Sequence, residues 1–423
     1  MSGLLSVRAA ALPSVRRFLS AVVDDLQNGT SVIVLVPRGV RPRAVADAVA
    51  DDIDHSFSRL RVLDVTRSPR VPSDPLHLAR SMVYGPVDRP LSLTDLLALP
   101  DFPDIVLLDG LGSVPADTRV GWLRLVHRWS EVAVSARAAK RCAVCLIAPA
   151  EDLLHALPQD GPRLRAHWWW GFPSALELRL LSREVAEGSQ VLDLWRESLV
   201  LGLAAGDLVL AEHLWKDCPD SIEALESSLR RYGAGLGFNR QTTLVDEPAV
   251  WRRPRDLGVS PDLAPPERVR ADWTAGRIIG SVEYGLDVHP SVLACRGDRT
   301  RLEHALWRGQ SQLLLPLADR VRLSFCLLLQ QTFGADWPAR VPVPPDEEGA
   351  RQRLEADPLT AELGYLVTLL GWLKARRLER HLHGWEGVLD QARHIRNRIA
   401  HYRPVTYDEL RAFWARLSPG IAA

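Results

Sequence analysis

Five short apolar runs recur in the first 185 residues: SVIVLV (31–36), RLRVLDV (59–65), DIVLLDGL (104–111), CAVCLIA (142–148) and ALELRLL (175–181). Most are continuous rather than alternating, which suits strands buried on both faces of a parallel sheet. Segments of helical period separate them, including PRAVADAVADDI (42–53) and DTRVGWLRLVHRWSEVAVSARAA (117–139). Such alternation predicts a doubly wound parallel sheet flanked by helices. The opening stretch to residue 26 has scattered Arg and Pro13, and reads as helical packing rather than a secretory signal.

Beyond residue 185 the period becomes helical. QVLDLWRESLVLGLAAGDLVLAEHLW (190–215) and SIEALESSLRRYG (221–233) both show it. A Pro- and Arg-rich stretch, DEPAVWRRPRDLGVSPDLAPPERVR (246–270), reads as a linker or a surface arm. HALWRGQSQLLLPLADRVRLSFCLLLQQTF (304–333) predicts one long helix or a broken pair, and TAELGYLVTLLGWLKARRL (360–378) another. PARVPVPPDEEGARQRLEADP (338–358) between them reads as a loop. Trp385, Val388, Leu389, Ala392, Ile395 and Ile399 form one apolar helical stripe that Pro404 soon stops. Thr406 and Glu409 have the spacing of a capping box for a last helix with Leu410, Phe413, Trp414 and Leu417. The predicted fold class is therefore α/β plus all-α. The predicted domains are an α/β domain (1–185), a helical extension (186–238), a Pro/Arg-rich linker (239–299) and a bundle of four or five helices (300–423).

Composition narrows the choice only a little. Basic and acidic residues each number 52, so the net charge is zero and no bulk basic field advertises nucleic acid. ARHIRNR (392–398) and KARRLERHLH (374–383) remain as local basic patches. No apolar run reaches membrane-spanning length, and a cytoplasmic location without membrane contact is expected. Five cysteines make no disulfide framework. Cys142 and Cys145 lie on one apolar strand, where positions i and i+3 face opposite ways, so they read as buried structural thiols. The three tryptophans of HWWWGFP (167–173) read as packing ahead of the last strand, with partner binding or base stacking as the alternative.

The chemistry concentrates at the end of the apolar stripe, in Arg396, Asn397 and His401. On a helix, Asn397 and His401 share a face, and Arg396 points roughly 100° away from Asn397. Arg-x4-His alone is weak: with 49 Arg and 12 His it is expected about 1.4 times by chance. It occurs at Arg299/His304, Arg376/His381 and Arg396/His401, and only the last has Asn after the Arg. RNA carries its own nucleophile, the ribose 2′-hydroxyl. An imidazole can move the proton, a guanidinium can hold the phosphate, and an amide can orient either. The bland alternative has His401 capping the helix C-terminus and Arg396 in an ion pair.

These residues, with the flanking pieces LWRGQ, LLPLADRVR and ELGYL, resemble the HEPN family of helical-bundle ribonucleases over the last 120 residues or so. The resemblance implies a metal-independent endoribonuclease acting on RNA, with a site formed between two copies of the bundle and with no cofactor or metal. Its catalytic residues would be Arg396, Asn397 and His401. Other members of the family serve only in dimerisation or binding.

The front domain resembles a P-loop ATPase core of the AAA or STAND sort, and residues 186–238 resemble the helical extension that follows such cores. A working phosphate loop needs glycines, a lysine and a hydroxyl. In VPRGVRPRAV only Gly39 survives, and Arg41, Pro42 and Arg43 occupy the positions of the second glycine, the lysine and the hydroxyl. Asp109 stands where the Walker B acid belongs, followed by Gly110 rather than Glu. Gly39, Arg43 and Asp109 thus read as remnants in a pseudo-ATPase that binds no nucleotide and offers a surface for a partner protein. Pairings of this kind, with 49 Arg against 3 Lys suggesting a GC-rich genome, imply a bacterial toxin or antiviral-defence effector. The rival readings are a non-enzymatic dimerising scaffold or regulatory subunit, and a nucleotide-responsive switch.

Overall fold

The computed structural model describes residues 11–53, 59–67, 76–77, 92–135, 142–151, 153–185, 189–245, 259, 263–341 and 348–417. The first half runs α1 (Pro13–Gln27), β1 (Ser31–Val36), α2 (Pro42–Asp52), β2 (Leu60–Asp64), α3 (Leu93–Leu97), β3 (Ile105–Asp109), α4 (Ala116–Ser135), β4 (Ala143–Pro149), β5 (Leu164–Trp168) and α5 (Ala175–Val185). The strands form one parallel sheet in the order β2-β3-β4-β1-β5. Every residue of β1 and β3 is buried, which is why those runs are apolar throughout. Val15, Phe18, Val22 and Leu26 of α1 and Val45 and Val49 of α2 join Val32, Val34, Leu107 and Ile147 in one core. α4 packs on β1 and β4 through the buried Trp122, Val126 and Trp129. The parallel sheet with helices on it agrees with the expected α/β front and its P-loop-like pattern.

One strand was misplaced by the sequence pattern. ALELRLL forms helix α5, and LRAHW (164–168) is the fifth strand. Alternation would have buried Leu176, Leu178 and Leu180 together. Instead Leu176 is 64% and Leu180 48% exposed, while Leu178 and Leu181 are buried, which is a helical period. A capping box starts the helix: the Ser174 amide donates to Glu177 Oε2 (2.8 Å) and the Glu177 amide donates to Ser174 Oγ (3.1 Å). The Ser14 hydroxyl also donates to Glu177, over 2.7 Å.

The three tryptophans, at the end of β5 and just beyond it, divide between two neighbourhoods. Trp169 meets Phe18 and Phe172 at 5.4 and 4.8 Å between ring centroids, whereas Trp168 and Trp170 both face Trp273. Arg270 covers the Trp168 ring at 4.7 Å, so these rings are packed within the domain. Cys142 and Cys145 are buried free thiols, and burial pushes the Cys145 thiol up.

The rest of the chain continues as α6 (Gln190–Leu203), α7 (Leu208–Asp217), α8 (Ile222–Gly235), α9 (Glu267–Thr274), a β6–β7 hairpin (Ile278–Ser281, Gly285–Val288), α10 (Pro290–Arg296), α11 (Arg299–Phe333), α12 (Trp337–Arg340), α13 (Glu348–Ala356), α14 (Leu363–Ala375), α15 (Glu386–Ala400) and α16 (Tyr407–Leu417). Residues 267–296, expected as linker, are therefore a helix, a hairpin and a helix. Buried Asp272 ties them down, accepting from Arg277 (2.9 Å) and from the Val245 amide (2.8 Å). The expected 338–358 loop contains α12 and α13. Residues 246–258 and 260–262 of the expected linker, 342–347 of that loop and the first ten residues lie outside the described residues.

Contacts group the chain into two units: residues 1–181, 205–212 and 230–296, and residues 182–204, 213–229 and 297–423. The expected extension is thus shared between them rather than standing alone. Within the second unit, α11 is one unbroken helix of 35 residues containing Pro316, which lies on its exposed side. α11 packs on α6, α15 and, through Trp307, the chain after α15. Gly202 of α6 and Gly309 of α11 let the two backbones touch: a Cβ on Gly309 would sit 2.2 Å from the Ser198 carbonyl oxygen.

Candidate active site

The first unit carries the loop in which the sequence reading places phosphate-loop remnants. β1 ends in a turn where Gly39 has φ +101°, and Pro42 opens α2 without a backbone donor. Two amides of this turn are spent on the backbone: Arg38 N–H donates to Thr274 (2.9 Å) and Val40 N–H to Pro37 (3.2 Å). The Arg38 side chain grips Glu151 and the Leu236 carbonyl. Arg43 reaches back over the strand ends, 3.3 Å from Asp109 and 3.6 Å from Asp64. The cation facing Asp109 is therefore the chain's own guanidinium. Burial pushes the Asp109 carboxyl up, against the lowering pull of the Gly110 amide and Arg43. Gly110 has φ +86°, and a Cβ there would lie 2.6 Å from Thr66 Cγ2, so no glutamate fits after Asp109. The expected result is no phosphate release from ATP by pure protein. Turnover that Asp109→Asn abolishes would overturn this.

The second unit carries the Arg396–Asn397–His401 group at the C-terminal end of α15. Val388, Leu389, Ala392, Ile395 and Ile399 are buried, so the stripe seats the helix and leaves Arg396, Asn397 and His401 exposed. The end is closed by a Schellman arrangement: Arg403 N–H donates to Arg398 (3.0 Å) and Tyr402 N–H to Ile399 (3.1 Å). Tyr402 takes φ +58°, which a side chain with a Cβ adopts at a cost of about 1–3 kcal/mol. Trp307 holds it there, 4.9 Å from the Tyr402 ring and donating to the Ile399 carbonyl over 2.7 Å. Buried Gln310 clamps Val405 on both sides, at 2.7 and 2.8 Å. The His401 backbone is thus fixed while its imidazole stands in solvent.

Arg396 Nη1 donates to Asn397 Oδ1 over 3.1 Å, and among the described residues Arg396 makes no ion pair. Arg396 and Asn397 line a cleft of about 430 Å³ with Leu315, Asp319, Arg322, Glu362 and Arg393. His401 is not among its lining residues. The pieces LLPLADRVR and ELGYL supply that lining from α11 and the start of α14, and LWRGQ supplies Trp307, Gly309 and Gln310. Sequence reasoning missed Glu362, Arg322 and Arg393 as individual site residues. No local spacing links Glu362 or Arg322 to Arg396, whereas Arg393 stands three residues before it on α15, within the basic stretch 392–398. Arg322 is structural in part, donating to Asp319 (2.6 Å) and to the Leu359 and Ala361 carbonyls. Among the described residues, no group of three or more His, Cys, Asp or Glu could hold a metal ion.

The last helix is anchored beside this site. Thr406 N–H donates to Glu409 (2.8 Å) and Glu409 N–H to Thr406 Oγ1 (3.2 Å), the expected capping box. Burial alone would push Glu409 up, but the Thr406 amide, His394 (2.9 Å) and Arg398 (3.4 Å) outweigh it and hold the carboxyl below 4.5. A depressed carboxylate stabilises the fold above its unfolded value and loses that contribution as pH falls through the folded value. Glu409→Gln should therefore lower the melting temperature at pH 7, and the gap from wild type should close on acidification below 4.5. A gap independent of pH would argue against a charged role.

No helix of the described residues is long and apolar enough to cross a membrane. No protein-family model matches the chain, and no curated protein matches it. Among solved structures, Drosophila ORC bound to poly(dA/dT) DNA and Cdc6 is similar at 13% identity and a TM-score of 0.29, over 98% of this chain and 71% of that one. At that level the likeness bears on neither fold nor function.

Proposed function

We propose that this chain is a metal-independent endoribonuclease of the HEPN type, acting as a homodimer through its C-terminal bundle. In this reading the α/β unit is a non-hydrolysing sensor or scaffold that receives a partner protein, and the setting is bacterial toxin action or antiviral defence. The observation that carries it is the fixed end of α15, which presents to solvent an arginine and an imidazole that have no carboxylate partner among the described residues, together with an amide.

His401 would take the proton from the ribose 2′-hydroxyl. The 2′-oxygen attacks phosphorus and the P–O5′ bond breaks, leaving a 2′,3′-cyclic phosphate and a 5′-hydroxyl. Arg396 would hold the phosphate oxygens, whose charge grows in the transition state. One imidazole supplies a base but not also an acid for the departing 5′-oxygen. A second copy supplies the other, which is why the reading includes a dimer with α15 near the two-fold axis.

The test is labelled RNA incubated with the full chain in EDTA, with light scattering on the same sample. Cleavage by a dimer is expected. A dimer silent under every condition favours the non-enzymatic scaffold.

A further inference from the structure

The cleft beside Arg396 holds groups that strand scission does not use. Leu315, Ala318 and Leu363 give it apolar wall, and its volume of about 430 Å³ suits a small ligand such as one nucleotide. Glu362 precedes α14 in extended conformation and makes no capping bond. Among the described residues its carboxylate has no hydrogen bond or ion pair, whereas the other acid of the cleft, Asp319, is engaged by Arg322 at 2.6 Å. From α15 comes the Arg393 guanidinium, beside the Asn397 amide of the proposed active site. Arg393 pairs with Asp390 one turn away on the surface, a bond that a ligand displaces at little cost. The cleft therefore combines one free acceptor pair with donors from a different wall.

We propose that this cleft receives a guanine base of the RNA next to the scissile phosphate, and that Glu362 selects it. The proposal rests on the ribonuclease reading. Guanine presents two adjacent donors, N1–H and the N2 amino group, which a carboxylate accepts with both oxygens. Its O6 and N7 are the acceptors that an arginine or amide reads. Adenine and cytosine place a ring acceptor beside their single amino group, and uracil flanks its one N–H with two carbonyls. Each of those would turn a lone pair toward Glu362.

The experiment is equilibrium binding of guanosine, adenosine, cytidine and uridine 3′-monophosphates to the full-length protein in EDTA. Guanosine 3′-monophosphate should bind about tenfold or more tightly than the other three, the discrimination typical of one bidentate base contact. Glu362→Gln, an isosteric change at an exposed position, should bring the four to within about twofold of one another. Equal binding of the four, no binding of any, or a guanine preference untouched by Glu362→Gln overturns the proposal. Binding requires no cleavage, so the two readings separate. Guanine preference without RNA scission keeps the pocket and removes the ribonuclease. Scission without base preference does the reverse.

Discussion

RNA cleavage in EDTA should fall by about 10²–10⁴-fold in His401→Ala, the usual contribution of a positioned acid or base. Arg396→Ala should be comparably severe, because a guanidinium stabilises charge that appears only in the transition state. Neither change should unfold the protein. Both side chains are exposed, and the backbone around them is held by Trp307, Gln310 and the Schellman bonds rather than by the side chains themselves. Arg376 and His381 share the Arg-x4-His spacing and serve as controls. Arg376 lies over Trp372, and His381 sits 3.3 Å from the Thr332 hydroxyl, so their replacement should leave cleavage near wild type. Equal cleavage by wild type and His401→Ala would refute the site.

The largest effect on stability is expected at Gly309→Ala. The added Cβ would lie 2.2 Å from the Ser198 carbonyl oxygen and 2.5 Å from the Gly202 nitrogen. Both obstacles are backbone of α6, so no rotamer change relieves them, and the two helices must move apart. Overpacking of this kind costs about 3 kcal/mol. Gly202→Ala meets the Ala305 oxygen at 2.3 Å and should behave alike. Gly371 lies on the exposed side of α14, where an added methyl group would meet nothing within 4 Å. Gly371→Ala should instead gain roughly 0.5–1 kcal/mol. Thermal unfolding followed by calorimetry checks all three. A melting temperature for Gly309→Ala equal to that of Gly371→Ala would show that the helices do not approach so closely in solution.

Local pattern carried a good part of the architecture. Four of the five strands were legible: β1, β3 and β4 because a strand buried on both faces is apolar at nearly every position, and β2, with only Leu63 buried, by its place in the alternation with helices. The stripe from Val388 to Ile399 was legible because one face of a helix repeats within a few residues. The Thr406–Glu409 cap needs only its own four residues. The expectation that the Arg38–Arg43 stretch does not handle nucleotide rests on residue types alone, since proline has no amide hydrogen and arginine no hydroxyl.

Other features depended on partners distant in the chain. ALELRLL is apolar enough for a strand, and Ser14, Ser174 and Glu177 together make it a helix. The strand order β2-β3-β4-β1-β5 pairs runs distant in the chain, a choice that no single run records. The sequence marks Arg43 only by its type beside Pro42; folding sets it against Asp109 and Asp64. Arg396, Asn397 and His401 stood out together because one helix end carries them. Glu362 and Arg322 join Arg393 and Arg396, one turn apart on α15, around a cleft only because α11 and α14 both pack on α15. Helical periodicity reports which face of each helix is buried; which neighbour covers that face, and which charges meet at its edge, is decided by burial over the whole unit.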